Sequence, residues 1–163
     1  MPESQTLDSE APESWRVESP LYIFTTTLVY ESWFSGVALG NARGSLDDLI
    51  RLAQTKVQRA ARSSLRESPV FQSQLAELEA KWGAAKAYQQ ATLIEITDRV
   101  VHTRLLSMND RSKIRLATTY AINEATDVVQ KVYRLAGSTA IFENQPFERR
   151  FRDMHAVSQQ MQA

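Results

Sequence analysis

Apolar residues recur at steps of three and four along most of the chain, and the pattern divides into four helical stretches. The first runs from about Thr25 to Arg62, where Leu46, Ile50, Ala53 and Val57 form a stripe along the C-terminal half. Ser68 as N-cap and Pro69 at the first helical position open the second. Its Phe71, Leu75, Leu78, Trp82, Ala85, Leu93, Ile96 and Val100 fall on one face. The third opens at Asn109 or Asp110 and repeats Ile114, Ala117, Ala121, Ala125, Val128, Val132 and Leu135 before Gly137 closes it. Pro146 opens the fourth, with Phe147, Phe151, Met154 and Met161 on one side. No strand-like alternation competes after Leu21.

Three helices of roughly 30 residues joined by short polar links predict antiparallel neighbours. The fold class is therefore all-α, an up-and-down four-helix bundle over residues 25–163 with an extended leader over residues 1–24. The stretch Met1–Pro20 holds three of the chain's five prolines and five acidic residues and shows almost no apolar period, which suits a leader. The predicted helices far exceed the usual ~11–12 residues, and Tyr88, Leu116, Tyr120 and Tyr133 lie off the main stripes. One seam cannot bury so much surface, so a homo-oligomer, dimer or tetramer, is expected.

Composition narrows the function classes. Nineteen basic and nineteen acidic residues cancel, giving no global attraction to nucleic acid or anionic membrane. There are no cysteines, so a disulfide framework and any thiolate metal site are excluded. The polar, acidic start lacks a signal-peptide core, and Leu21–Leu39 is broken by Glu31 and several hydroxyl residues, so no membrane span is read. A cytoplasmic location fits.

Three glycines, Gly36, Gly40 and Gly44, recur every four residues in the first helix. Each costs ~1 kcal/mol relative to alanine in a helix interior. Either another helix packs closely there, or a flat ligand or further domain lies against a surface without side chains. Trp33 and Phe34 at the start of this stripe are either core or the walls of an apolar pocket. Asp47 and Asp48 read as a solvated helix face. No dinucleotide fingerprint, phosphate loop, nucleophile elbow or metal-ligand spacing occurs, and His102 and His155 stand alone. Arg59, Arg62 and Arg66 either complement the end of the first helix or contact a phosphate. Arg149, Arg150, Arg152 and Asp153 form a block that suits either a ligand or salt bridging between subunits.

Several stretches together resemble the C-terminal domain of the acyl-CoA dehydrogenase superfamily, in the variant shared with two-component, group D flavin monooxygenases. They are PLYIF, VALGNARGSLDDLIRLA, LRESPVFQSQLAELEAKWGAAKAY, RLATTYAINEATDVVQKVYRLAGSTAIF and PFERRFRDMHA, in order from about Pro20 to Gln160. The resemblance implies a four-helix bundle that oligomerises and covers FAD (or FMN) in a complete enzyme. The leader is similar to the last strand and exit linker of that enzyme's middle β-domain, as though the chain were cut at a domain border.

Residue by residue, the resemblance implies three cofactor contacts. Arg66 matches an arginine before the second helix that reaches FAD phosphates across subunits, although the local spacing is shorter here. Gly137 and Ser138 stand where a glycine pair approaches FAD, with serine replacing the second glycine. Some relatives carry a catalytic glutamate near the start of the first helix; Tyr30 matches that position and Glu31 lies one residue off. Monooxygenase relatives place a histidine where Gln160 stands, and an amide cannot exchange protons near neutral pH. The catalytic residues stay unknown, and little or no activity is expected of the isolated chain. The rival expectation is a solitary helical interaction module without flavin chemistry.

Overall fold

The computed structural model describes residues 19–57 and 63–159. Most of the leader, Arg59, Arg62, Gln160 and Met161 lie outside those residues. Helix α1 spans Thr26–Thr55, α2 Pro69–Thr103, α3 Met108–Ala136 and α4 Phe147–Ser158. Among the described residues there is no strand, only an isolated antiparallel bridge between Val57 and Ser64.

The all-α bundle follows from the periodicity. Helix α3 is its axis and packs against α1, α2 and α4. Ile114, Ala117, Ala121, Ala125, Val128 and Val132 of α3 are all buried, as their spacing predicts. Leu46, Leu49 and Ala53 of α1, Phe71, Leu78 and Ala85 of α2, and Phe147 and Met154 of α4 complete the main core. A smaller apolar cluster of Leu28, Ile96, Val100 and Ile114 closes the end where α1 and α3 begin and α2 finishes. Polar ties set the register of α1 on α2: Trp82 Nε1 donates to the Leu39 carbonyl at 2.9 Å, and Gln89 donates to Ser35.

The helix ends depart from the sequence pattern in two places. Helix α1 stops at Thr55, before the expected Arg62. Lys56 turns extended (φ −72°, ψ 121°) and its N–H caps the Leu52 carbonyl. Val57, the last member of the expected stripe, is exposed and has no core to hold the helix onward. Helix α3 is capped by Ser107, not by Asn109 or Asp110. Ser107 Oγ accepts from the Asp110 N–H while the Asp110 carboxylate accepts from the Ser107 N–H at 2.9 Å. This reciprocal pair satisfies two amides that the helix itself cannot. Thr25 and Ser68 cap α1 and α2 with their hydroxyls, whereas Pro146 stands at the cap of α4 without a side-chain bond, one residue before the position that proline favours.

Candidate functional site

Lys56 builds a corner at the far end of the bundle. Its carbonyl accepts from the Leu65 N–H at 2.7 Å, which holds the short turn Leu65–Glu67 against the end of α1. Its ammonium reaches the end of α3, donating to the Ala136 carbonyl at 2.5 Å and to Thr139 Oγ1 at 2.9 Å. The last carbonyls of a helix lack internal partners and carry its negative dipole end, so a cation is favoured there. Burial lowers the Lys56 pKa below the ordinary lysine value. One residue therefore joins the segment bearing Arg66 to the segment bearing Gly137 and Ser138.

All three of those residues face outward. Arg66, Gly137 and Ser138 are exposed. Gln72 donates to the Arg66 carbonyl at 2.7 Å, which fixes the turn and leaves the guanidinium pointing away from the core. Gly137 has φ +57°, a conformation that favours glycine, and opens the turn Gly137–Ile141. The corner thus presents the Ser138 hydroxyl, the Arg66 guanidinium and, beneath Gly137, the Lys56 ammonium. Such a set can receive an oxyanion. Lys56 escaped the sequence reading, although a lysine one residue past a helix end is a recognisable sign of a terminus.

The glycine stripe resolves into two situations. Gly36 and Gly40 are exposed, and a Cβ added at either meets nothing within 4 Å, so no helix packs on them. At Gly44 a Cβ would lie 2.7 Å from Arg150 Cζ. Arg150 of α4 crosses this gap and donates through Nε to Asp48 Oδ2 at 2.5 Å. Asp48, read from the sequence as solvated, is only 7% exposed and also accepts from Arg51. Asn41 Nδ2 adds a bond to the Arg150 carbonyl at 2.8 Å. Within the arginine block, Arg150 therefore docks α4 on α1 inside one chain. Arg152 pairs with Glu148 at 3.0 Å, and Arg149 and Asp153 are exposed.

At the opposite end, Tyr30 and Glu31 point apart. Tyr30 is exposed and meets the Trp33 ring edge-on at 5.6 Å. Trp33, with Leu21, Phe24 and Val29, lines a small apolar hollow of about 190 Å³, while Phe34 packs on the core. Glu31 is 1% exposed and lies nine residues before Gly40, hence about half a turn round the helix from it. Its Oε1 sits 3.4 Å from Arg115 Nη1, and neither carboxylate oxygen has a hydrogen-bond partner. Burial raises its pKa, with the Arg115 charge opposing.

His102 is exposed, with Nδ1 2.6 Å from the Asp98 carbonyl, and His155 packs against Phe151 with ring centroids 4.4 Å apart and planes tilted by 58°. Among the described residues no group of three or more His, Cys, Asp or Glu is placed to hold a metal, and no helix is long and apolar enough to cross a membrane.

Known proteins share this fold. An indole-3-acetate monooxygenase of Acinetobacter baumannii is 28% identical over 147 residues, which cover 90% of this chain and 38% of that protein. Among solved structures, XiaF from Streptomyces sp., in complex with FADH2 and glycerol, superposes with a TM-score of 0.82 at 17% identity. That superposition covers 89% of this chain and 37% of XiaF. The 3-HSA hydroxylase from Rhodococcus sp. RHA1 does so with a TM-score of 0.79 at 22% identity, over 90% of this chain and 38% of the hydroxylase. The chain thus spans under two-fifths of the length of each. Residues 32–162 match the family described as acyl-CoA dehydrogenase, C-terminal domain, which takes in α1 from Ser32 onward, α2 to α4 and the Lys56 corner: the chain belongs to that family.

Proposed function

We propose that this chain is the oligomerisation and flavin-covering domain of an acyl-CoA dehydrogenase-like flavin oxidoreductase of the monooxygenase type. The observation that supports the reading is Lys56, which bonds both the end of α3 just before Gly137 and the turn that bears Arg66. The corner's donors suit the pyrophosphate of FAD contributed by a neighbouring subunit. The Ser138 hydroxyl would orient phosphate oxygens, and Arg66 would pair with their charge. Lys56 holds the two segments in register and adds positive potential. A bound flavin supplies the redox chemistry; the chain's own residues bind and exclude water.

The bare surface at Gly36 and Gly40 supports a second contact, in which the flavin or the β-domain lies against α1 without side chains intervening. Exposed Tyr88, Leu116 and Tyr120 on α2 and α3 support burial against further copies of the chain, as a cytoplasmic dimer or tetramer. The isolated chain would have little or no activity, since a domain that covers a flavin does not itself supply the redox chemistry.

Flavin fluorescence tests this reading. Saturable quenching of FAD on adding the chain is the expected result. Unchanged fluorescence at high protein concentration would make the chain a helical interaction module without a cofactor.

A further inference from the structure

Glu31 places a carboxyl where the surrounding fold offers it no hydrogen bond. It sits in the second turn of α1, 1% exposed, and neither of its oxygens has a bonding partner. The cation that reaches it is Arg115 of α3, which lies 3.4 Å away without an aligned donor and is itself 58% exposed. The residues that α2 and the turn before α1 bring to this end, Leu93, Ile96, Val100, Ile23 and Phe24, are uncharged. The other charges near the start of α3 are engaged elsewhere. Arg99 pairs with Asp110, Lys113 lies 3.7 Å from Glu95, and Arg111 has a partner of its own.

An ionised carboxylate in this position gives up its hydration and recovers only part of it from one unaligned guanidinium. A neutral carboxyl gives up far less. Burial accordingly raises the Glu31 pKa above its ordinary 4.5, with the Arg115 charge opposing. The folded chain therefore holds this proton more tightly than the unfolded chain. The stability that follows is present below about pH 4.5 and is lost as pH rises through the folded value.

The start of α1 is also lightly secured. Its first turn carries no acidic residue to meet the helix dipole, and the bond from the Leu28 N–H to its cap, Thr25, is long at 3.4 Å. A recess of about 340 Å³ runs beside the pair, lined by Thr27 and Glu31 of α1 and by Met108 and Arg115 of α3. A small lift of α1 lets water pass from it to the carboxylate. From this juxtaposition we infer that Glu31 makes the start of α1 a pH-responsive clasp on α3: protonated, it seats the helix, and ionised, it draws in water and loosens the first two turns. The clasp does not depend on the flavin reading. It lies at the start of α3, ~40 Å along the helix axis from Gly137 at a rise of ~1.5 Å per residue.

Carbon-13 NMR of the full chain follows the Glu31 carboxyl, assigned by its loss in Glu31→Gln, and amide exchange corrected for intrinsic rates follows the helix. The carboxyl is expected to titrate with a midpoint above 4.5. Protection of the amides from Tyr30 to Phe34 is expected to fall several-fold between about pH 5 and about pH 8, while that of Ile122 and Val129 in the main core holds. Glu31→Gln, which cannot ionise, is expected to abolish this pH dependence. In urea at neutral pH the variant is expected to be the more stable chain, with the two converging towards pH 4.5. A midpoint at or below 4.5, protection that stays level with pH, or a variant less stable than wild type at neutral pH would mean that Arg115 holds the ionised form, and the inference fails.

Discussion

Arg150 reaches across from α4 to the buried carboxylate of Asp48 on α1, and it does so over the bare backbone of Gly44. The glycine is needed because any Cβ there would overlap the guanidinium. Gly44→Ala is therefore expected to lower stability by about 1–3 kcal/mol, the cost of a buried charged group losing one of its partners, despite alanine's better helix propensity. Urea unfolding at neutral pH measures this, and an Arg150→Ala chain should show little further loss when Gly44→Ala is added.

The other two glycines of the same stripe predict the opposite sign. A methyl at Gly36 or Gly40 meets nothing, so Gly36→Ala and Gly40→Ala should each stabilise the isolated chain by ~0.5–1 kcal/mol. The same urea experiment reads it. If these positions serve a flavin or a β-domain, the gain in the isolated bundle comes with weaker flavin quenching.

Much of this was legible in the sequence, for a clear physical reason. The buried faces of α2 and α3 are set by side chains three and four apart, and those positions lie in the core or, for Leu75, Trp82, Leu93 and Leu135, half-buried against it. Helix ends were less legible, because they depend on what lies across the gap. Helix α1 stops at Thr55 because Lys56 is drawn to the end of α3, some 80 residues away in sequence. Asp48 looked solvated because its cation arrives from Arg150, on the last helix. Arg66, Gly137 and Ser138 came from resemblance; the lysine that joins their segments came only from the fold.

Asp110 gives a pH signature. Its bond to Arg99, then its bonds with Ser107, hold the carboxyl at about 2, below the ordinary 3.8. The folded-state pKa is depressed, so the stability this group contributes is present above about pH 4 and lost as pH falls towards about 2. Asp110→Asn should cost about 1.5–3 kcal/mol at pH 7, as for hydrogen bonds to a charged group. Unfolding free energies of the two chains should converge as pH drops through that window.

The edge-to-face pair of Tyr88 and Tyr120, 5.7 Å apart, leaves both rings exposed beside Leu116, itself 63% exposed. Tyr133, also off the main stripe, instead packs on Phe151 at 4.9 Å within the chain. If the Tyr88–Leu116–Tyr120 face joins copies, Leu116→Glu should shift the sedimentation of the chain towards monomer while its helicity is unchanged. An unaltered sedimentation coefficient places the contact elsewhere.

Calorimetric titration of FAD into wild-type chain and Arg66→Glu tests the central claim most directly. Arg66 is exposed, so reversing its charge leaves the bundle intact, and circular dichroism verifies that. A phosphate contact at the Lys56 corner predicts saturable binding that weakens by about tenfold or more in the variant, since a guanidinium–phosphate bond is charge-assisted. Equal affinity of the two chains for FAD would contradict the account and remove the corner as a flavin site.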